Sequence, residues 1–136
     1  MKFGENMNSY LYDPGEHRTK HCGSSVSAHF ERNGSIKIGK CPSSLSRQVA
    51  QALLQTGIPD TDSLENGHPK RIYAVYDGVV YQAVPTMLGI SYHGYPWHGR
   101  PGDNRLPRVI KRELEQRAAE AGCSDKLKKW LKDHEC

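Results

Sequence analysis

Residues 71–84 read Arg71-Ile72-Tyr73-Ala74-Val75-Tyr76-Asp77-Gly78-Val79-Val80-Tyr81-Gln82-Ala83-Val84, two runs of β-branched and aromatic residues around Asp77-Gly78. An Asp-Gly pair favours the type I′ turn of a β-hairpin, because both central positions need positive φ. This turn predicts three cross-strand pairs: Tyr76 with Val79, Val75 with Val80, and Ala74 with Tyr81. Both faces of the hairpin are apolar, so we expect it to lie centrally in a sheet that is covered on both sides.

The same kind of signal occurs upstream, where Asn33-Gly34 predicts a second hairpin. A two-residue turn at this pair would set the following register: Phe30 opposite Lys37, His29 opposite Ile38, and Glu31 opposite Ile36. Extended further, that register brings Val26 opposite Cys41.

A helix is predicted between the two hairpins. Leu45, Val49 and Leu53 recur at a spacing of four residues, which is the spacing of one helix face. Ser43 or Ser44 is the expected N-cap. The helix is expected to end at Gly57, since Pro59 prevents its continuation.

Two further helices are predicted in the C-terminal part. The first starts at Pro107 and ends at Gly122, with its apolar positions at Val109, Ile110, Leu114, Ala118 and Ala121. The second starts at Ser124 or Asp125, with one face formed by Leu127, Trp130 and Leu131.

This order of elements predicts an α+β fold. We expect a small antiparallel sheet built from the two β-hairpins, with about three helices packed on it. The length of 136 residues fits a single domain over residues 1–136. Residues 1–16 are expected to be irregular, apart from a short strand around Leu11.

Residues 91–102 (Ser91-Tyr92-His93-Gly94-Tyr95-Pro96-Trp97-His98-Gly99-Arg100-Pro101-Gly102) have an unusual composition. Glycine and proline recur at nearly every turn, which predicts an irregular loop. Ordering such a loop is entropically costly, so its density of aromatic and cationic residues favours a binding or catalytic role.

The charge distribution favours a polyanion as partner. The chain carries a net charge of +4, and between positions 17 and 47 Glu31 is the sole acidic residue. A basic region of this kind is typical of nucleic-acid binding. The candidate phosphate contacts there are Arg18, Lys20, Arg32, Lys37 and Lys40.

The leading functional hypothesis is a nucleic-acid-binding domain, with RNA favoured, that extends to a small metal-independent ribonuclease. In that mechanism His93 is the general base, His98 the general acid, and Arg100 with Arg71 stabilises the developing charge. The bases would stack on Tyr92, Tyr95 and Trp97. The alternative is that these rings only cap the core.

A zinc-stabilised, non-enzymatic binding module is the second hypothesis. Its ligands would be His17, His21, Cys22 and Cys41, which are the ligand types of tetrahedral zinc sites. No Cys-x-x-Cys pair supports the site, so a disulfide and free thiols stay open as alternatives. A third hypothesis is a protein-interaction adaptor that uses the aromatic loop, since Tyr, Trp and Arg dominate binding hot spots.

The sequence also bears on location. No apolar run approaches the roughly 20 residues that span a bilayer, so no membrane partner is expected. The N-terminus lacks the apolar stretch of a signal peptide, which predicts a cytoplasmic protein. Phosphate-binding loops, dinucleotide fingerprints, serine-hydrolase elbows and zinc-protease motifs do not occur.

Overall fold

The computed structural model of the chain describes residues 7–14, 29–33, 36–40, 45–99 and 105–135. The helices are α1 (Arg47–Gln55), α2 (Arg108–Glu120) and α3 (Ser124–His134). The strands are β1 (Leu11–Tyr12), β2 (His29–Asn33), β3 (Ile36–Lys40), β4 (Ile58–Pro59), β5 (Leu64–Glu65), β6 (His68–Pro69), β7 (Ile72–Tyr76), β8 (Val79–Met87) and β9 (Ser91–Pro96). The α+β class is thereby confirmed.

The hairpin β7–β8 has the predicted register. Val75 pairs with Val80 and Tyr76 with Val79, and the pairing continues to Ile72 opposite Ala83. Asp77 and Gly78 have φ angles of 52° and 77°, as a type I′ turn requires. A Cβ at Gly78 would lie 2.2 Å from Lys126 Cβ, so glycine also allows α3 to pack closely on the turn.

The prediction of one antiparallel sheet built from the two hairpins is wrong. β7 and β8 belong to a five-stranded sheet of order β1-β9-β8-β7-β4, in which β1 runs parallel to β9. The hairpin β2–β3 forms a separate two-stranded sheet. The physical reason is that β9 pairs with β8 along nearly its whole length and takes the position that a second hairpin would need.

Strand β9 occupies much of the segment predicted to be a loop. Its residues pair with β8 from Ser91 opposite Met87 to Pro96 opposite Tyr81. The glycine and proline did not prevent this, because Gly94 packs without strain opposite Ala83 and Pro96 is the last residue of the strand. Proline is tolerated at strand ends, where its missing N–H costs least.

Strand alternation gives the sheet two apolar faces, as predicted. On one face, here called the α1 face, Ile72 and Tyr92 pack with Leu54 of α1. On the other, the α2/α3 face, Tyr73, Val80 and Trp97 form the main core with both C-terminal helices. That core is completed by Leu106, Ile110, Leu114, Ala118, Leu127 and Leu131.

The helices differ from prediction in small ways. The N-cap of α1 is Ser46, whose hydroxyl accepts a hydrogen bond from the Val49 N–H at 3.1 Å, so the helix starts later than Ser43 or Ser44 implied. Gly57 does follow its end, and a Cβ there would clash with Ile72 at 2.4 Å. In α2 the side chain of Val109, expected in the apolar face, is 78% exposed.

The register of β2–β3 differs from the predicted one by two residues. Phe30 pairs with Gly39, Glu31 with Ile38 and His29 with Lys40. Asn33 pairs with Ile36, so it belongs to the strand rather than to the turn. A shift of two residues leaves each residue on its original face, which is why the hydrophobic pattern alone does not distinguish the two registers.

Within the described residues, no helix combines the length and the apolar character that crossing a membrane requires. The cytoplasmic location stays a prediction.

Candidate functional site

Polar residues form two rows across the α2/α3 face of the sheet, at the end distant from the Asp77-Gly78 turn. In the second row, Gln82 on β8 is directly opposite both Tyr73 on β7 and Tyr95 on β9. In the first row, His93 on β9 is opposite Val84 on β8. If the β7–β8 register is continued by one residue, Arg71 is opposite Val84 as well. Val84 then lies between His93 and Arg71.

The first row extends to the neighbouring strand. The Asp60 N–H donates to the Arg71 carbonyl at 3.0 Å, which continues the β4–β7 pairing. Asp60 therefore lies beside Arg71 at the same end of the sheet. We call Asp60, Arg71 and His93, together with Tyr73, Gln82 and Tyr95, the polar rows.

His93 and Arg71 are brought together by this arrangement. Two strand spacings separate their backbones, which is about 10 Å, with Val84 between them. Both residues are half-buried. An arginine side chain is long enough to span most of that distance.

The imidazole of His93 is oriented by a neighbour. Its Nδ1 is hydrogen-bonded to the Thr86 hydroxyl at 2.9 Å. Thr86 lies at a register irregularity between Pro85 and Met87, a feature that often re-aims side chains next to functional sites. The Tyr95 ring lies 6.3 Å from the imidazole, centroid to centroid.

The second row is buried. Tyr73 is 0% and Gln82 2% exposed. Burial raises the pKa of Tyr73 to about 12; the Arg71 guanidinium opposes the rise, and Asp60 adds to it. Arg71 precedes Tyr73 by two residues on the same face of the sheet, and Asp60 pairs with Arg71, so the three residues lie at the boundary between the two rows.

His98 lies away from this group. Trp97 continues the strand, with its N–H donating to the Val80 carbonyl at 2.9 Å. Four residues of strand separate His93 from Trp97, which is about 13 Å. Beyond His98, the Gly99 N–H donates to the His134 carbonyl at 2.8 Å, which anchors this segment to the end of α3. Arg100 lies outside the described residues.

Two of the three predicted stacking rings are in the core. Tyr92 and Trp97 are both 0% exposed, so neither presents a face to a base. The Tyr92 hydroxyl donates to the Pro69 carbonyl, and burial with the neighbouring Tyr10 raises its pKa to about 12. Tyr95, which points to the α2/α3 face, is half-buried.

The predicted basic contacts fall into two groups. Arg18 and Lys20 lie outside the described residues. Arg32, Lys37 and Lys40 are in the hairpin β2–β3, where Arg32 is directly opposite Lys37. Strand β3 lies close to β9, so this basic hairpin adjoins the strand that carries His93 and Tyr95.

The predicted zinc ligands His17, His21, Cys22 and Cys41 all lie outside the described residues. Among the residues that are described, no group of three or more His, Cys, Asp and Glu side chains is placed to hold a metal ion. The zinc site stays a prediction.

Four residues of the site were missed at the sequence level: Asp60, Tyr73, Gln82 and Thr86. The hairpin register already implied the Tyr73–Gln82 pair, and a polar pair inside an apolar hairpin was the available signal. No sequence signal identified Asp60 and Thr86, because their positions depend on pairing between distant segments.

A cleft lies between α1 and the sheet. Its described lining is mainly apolar and includes Tyr12, Leu53, Tyr81 and Gly94, together with Gln82 and Tyr95 of the polar rows. No charged side chain is among the described residues that line it. Its chemistry therefore does not suit a polyanion, and the polar rows are the better candidate.

No protein-family model, no curated protein and no solved structure matched this chain, so the geometry of the polar rows and the basic hairpin has to support any functional conclusion by itself.

Proposed function

We propose that this chain is a nucleic-acid-binding domain, with RNA as the favoured partner. The binding surface consists of the hairpin β2–β3 and the neighbouring polar rows. It combines cations for the phosphate backbone with His93, Arg71 and the half-buried ring of Tyr95.

The observation that carries the proposal is the cross-strand pair Arg32–Lys37. Like charges directly opposite each other destabilise a strand pair. Lys40 and His29 form the pair at the other end of the hairpin. A two-stranded ribbon with this charge pattern is favoured when an anion neutralises it, and a phosphate backbone supplies such anions in a row.

RNA is favoured over duplex DNA because of the second part of the surface. Sequence-specific RNA binding commonly uses unstacked bases of single strands, which stack on aromatic rings and accept contacts from arginine. Tyr95 lies on β9, the strand that β3 approaches, and Arg71 belongs to the same polar rows. With Tyr92 and Trp97 in the core, Tyr95 is the remaining ring of the three predicted for this purpose.

Fluorescence anisotropy with labelled single-stranded RNA, single-stranded DNA of the same sequence and duplex DNA tests the proposal. We expect binding that weakens linearly with salt on a log–log plot, and the tightest binding for RNA. For single strands each phosphate contact contributes about 0.7 to the slope. Absence of salt-dependent binding to all three would refute the proposal.

A matched pair of variants localises the surface. Arg32→Gln with Lys37→Gln removes two cations from the hairpin, and the salt slope should fall by about 1.4. Lys128→Gln with Lys132→Gln removes two cations from the exposed side of α3 and serves as the control, because those side chains belong to a solvated helix face. An equal loss in both double variants would contradict a site on the hairpin.

RNA cleavage is a second candidate, favoured by the juxtaposition of His93 and Arg71. In this candidate the imidazole of His93, whose Nδ1 is hydrogen-bonded to the Thr86 hydroxyl, would transfer a proton, and Arg71 would stabilise charge on the phosphate. Labelled RNA incubated in EDTA across mildly acidic to mildly basic pH provides the assay. His93→Ala should lower the rate about 10²–10⁴-fold, and His98→Ala, distant from the row, should change it little. No cleavage by the wild type at any pH would remove this candidate.

The zinc-stabilised module is separable by metal analysis of protein prepared under reducing conditions. One zinc per chain, with loss of folding on chelation, would favour that hypothesis. If the analysis finds no zinc, the hypothesis that His17, His21, Cys22 and Cys41 bind zinc is refuted.

A further inference from the structure

The hydroxyl of Tyr73 is an unusual group in this fold. It is fully buried, and it has no hydrogen-bond partner among the residues that the structure describes. Buried polar groups are nearly always paired, because the loss of hydration is otherwise uncompensated. An unpaired hydroxyl next to a polar cluster therefore indicates a missing ligand atom.

The neighbour of this hydroxyl is a cation. The Arg71 guanidinium lowers the pKa of Tyr73 through its charge and through a hydrogen-bond interaction with the hydroxyl oxygen, and the hydroxyl proton has no acceptor of good geometry among the described residues. Arg71 is half-buried, and within the described part of the chain it makes no salt bridge. Two donors, one of them charged, thus lie side by side, and the described acceptor directly opposite Tyr73, Gln82 Oε1, is buried without a hydrogen bond to either of them.

We propose that Arg71 and the Tyr73 hydroxyl together bind one phosphate group. Phosphate oxygens accept hydrogen bonds from both donors, and the bond from arginine is charge-assisted. The group would be one phosphodiester of a bound strand, so this assignment rests on the proposed function. The chemistry holds equally for inorganic phosphate.

One carboxylate opposes the site. Asp60 lies on the β4 side of Arg71, and its Oδ1 already accepts the Asp62 N–H at 3.1 Å. Repulsion from Asp60 directs the phosphate to the β8 side of Arg71, towards Val84 and His93. Entry requires the arginine side chain to move aside, which its rotatable bonds permit.

Thermal denaturation in sodium phosphate and in sodium chloride of equal ionic strength tests the proposal on the full chain. The variants are Tyr73→Phe and Arg71→Gln, with Tyr76→Phe as the matched control on the same strand. Tyr76 is 38% exposed, so its hydroxyl has access to water. Phosphate stabilises many proteins non-specifically, but that effect is common to all variants.

We expect the wild type and Tyr76→Phe to gain a larger rise in melting temperature from phosphate than the two site variants. The fitted dissociation constant for phosphate should increase about tenfold or more in Tyr73→Phe, the usual effect of losing a hydrogen bond to a charged group. In chloride, Tyr73→Phe should melt at or above the wild-type temperature, because it removes an unpaired buried hydroxyl. If the hydroxyl had a merely structural role, Tyr73→Phe would lower the melting temperature in chloride as well as in phosphate.

An equal phosphate response in all four proteins overturns the proposal and leaves an internal water as the partner of Tyr73. RNA binding measured on the same variants separates the two assignments. If Tyr73→Phe and Arg71→Gln lose the phosphate response and none of the four proteins binds RNA, the phosphate site is upheld and the nucleic-acid proposal is refuted. If the wild type binds RNA but shows no phosphate response beyond that of the site variants, the nucleic-acid proposal is upheld and the phosphate site is refuted.

Discussion

The hairpins β7–β8 and β2–β3 were both marked in the sequence by a residue pair ending in glycine, and they differ in what lies on their faces. β7–β8 is apolar on both faces and lies inside the five-stranded sheet. β2–β3 places Arg32 opposite Lys37 and forms a sheet of its own. The first hairpin is stabilised by the core. The second has two cationic residues at paired backbone positions, and this pair is the basis of the nucleic-acid proposal.

The largest effect is expected from a substitution in the core that packs on the hairpin β7–β8. Trp97→Ala removes a fully buried side chain from the α2/α3 face. Its free energy of unfolding should fall by about 3–5 kcal/mol, as measured by urea denaturation. A fall below about 1 kcal/mol, an ordinary value for surface residues, would mean that Trp97 is a binding ring rather than a core residue.

Alkaline pH should act on the core through Tyr73. Its pKa is raised to about 12 in the folded chain from 10.0, so the folded state keeps its proton after the unfolded state has lost it. The contribution is fully present below pH 10 and is lost between pH 10 and 12, by roughly 2–3 kcal/mol. Urea denaturation at several pH values checks this. Tyr73→Phe should remove about half of the decline, because Tyr92, whose pKa is also raised to about 12, contributes over the same range. Tyr76→Phe should leave the decline unchanged.

Substitutions at two glycines distinguish the cost of backbone strain in a turn from the cost of lost close packing. Gly78 and Gly67 have φ angles of 77° and 81°, but only Gly78 has a neighbour within 4 Å of a Cβ. Gly67→Ala should cost about 1–2 kcal/mol from backbone strain, and Gly78→Ala should cost more because its Cβ meets Lys126 of α3. Equal unfolding free energies for the two variants would contradict close packing of α3 on the β7–β8 turn.

The sequence predicted well where the relevant interactions are local. The register of β7–β8 followed from Asp77-Gly78, and the apolar faces of α2 and α3 followed from spacing at Ile110, Leu114 and Leu127. Strand β9 was missed because its pairing with β8 outweighs the local preferences of Gly94 and Pro96. Such pairing between segments is not encoded in any short window.

In the candidate site, too, the sequence predicted residue types but not the positions that depend on pairing between strands. Residue types identified His93, Arg71 and Tyr95 as candidates, but the strand separated His98 from them and turned Tyr92 and Trp97 into the core. Alternation along the strand explains Tyr92, which faces the side opposite to His93 and Tyr95. Trp97 shares their face and is buried because α2 and α3 cover that end of the strand. Tyr73 and Gln82 join the site only through the cross-strand register.

The central claim is that the charges of β2–β3 oppose folding and favour binding. Arg32→Gln tests it most directly when urea denaturation and anisotropy with single-stranded RNA are measured on the same protein. We predict that the free energy of unfolding rises by about 0.2–1 kcal/mol while RNA affinity falls and the salt slope decreases by about 0.7. A variant that is less stable, or that binds RNA as tightly as the wild type with the same salt slope, would contradict the claim.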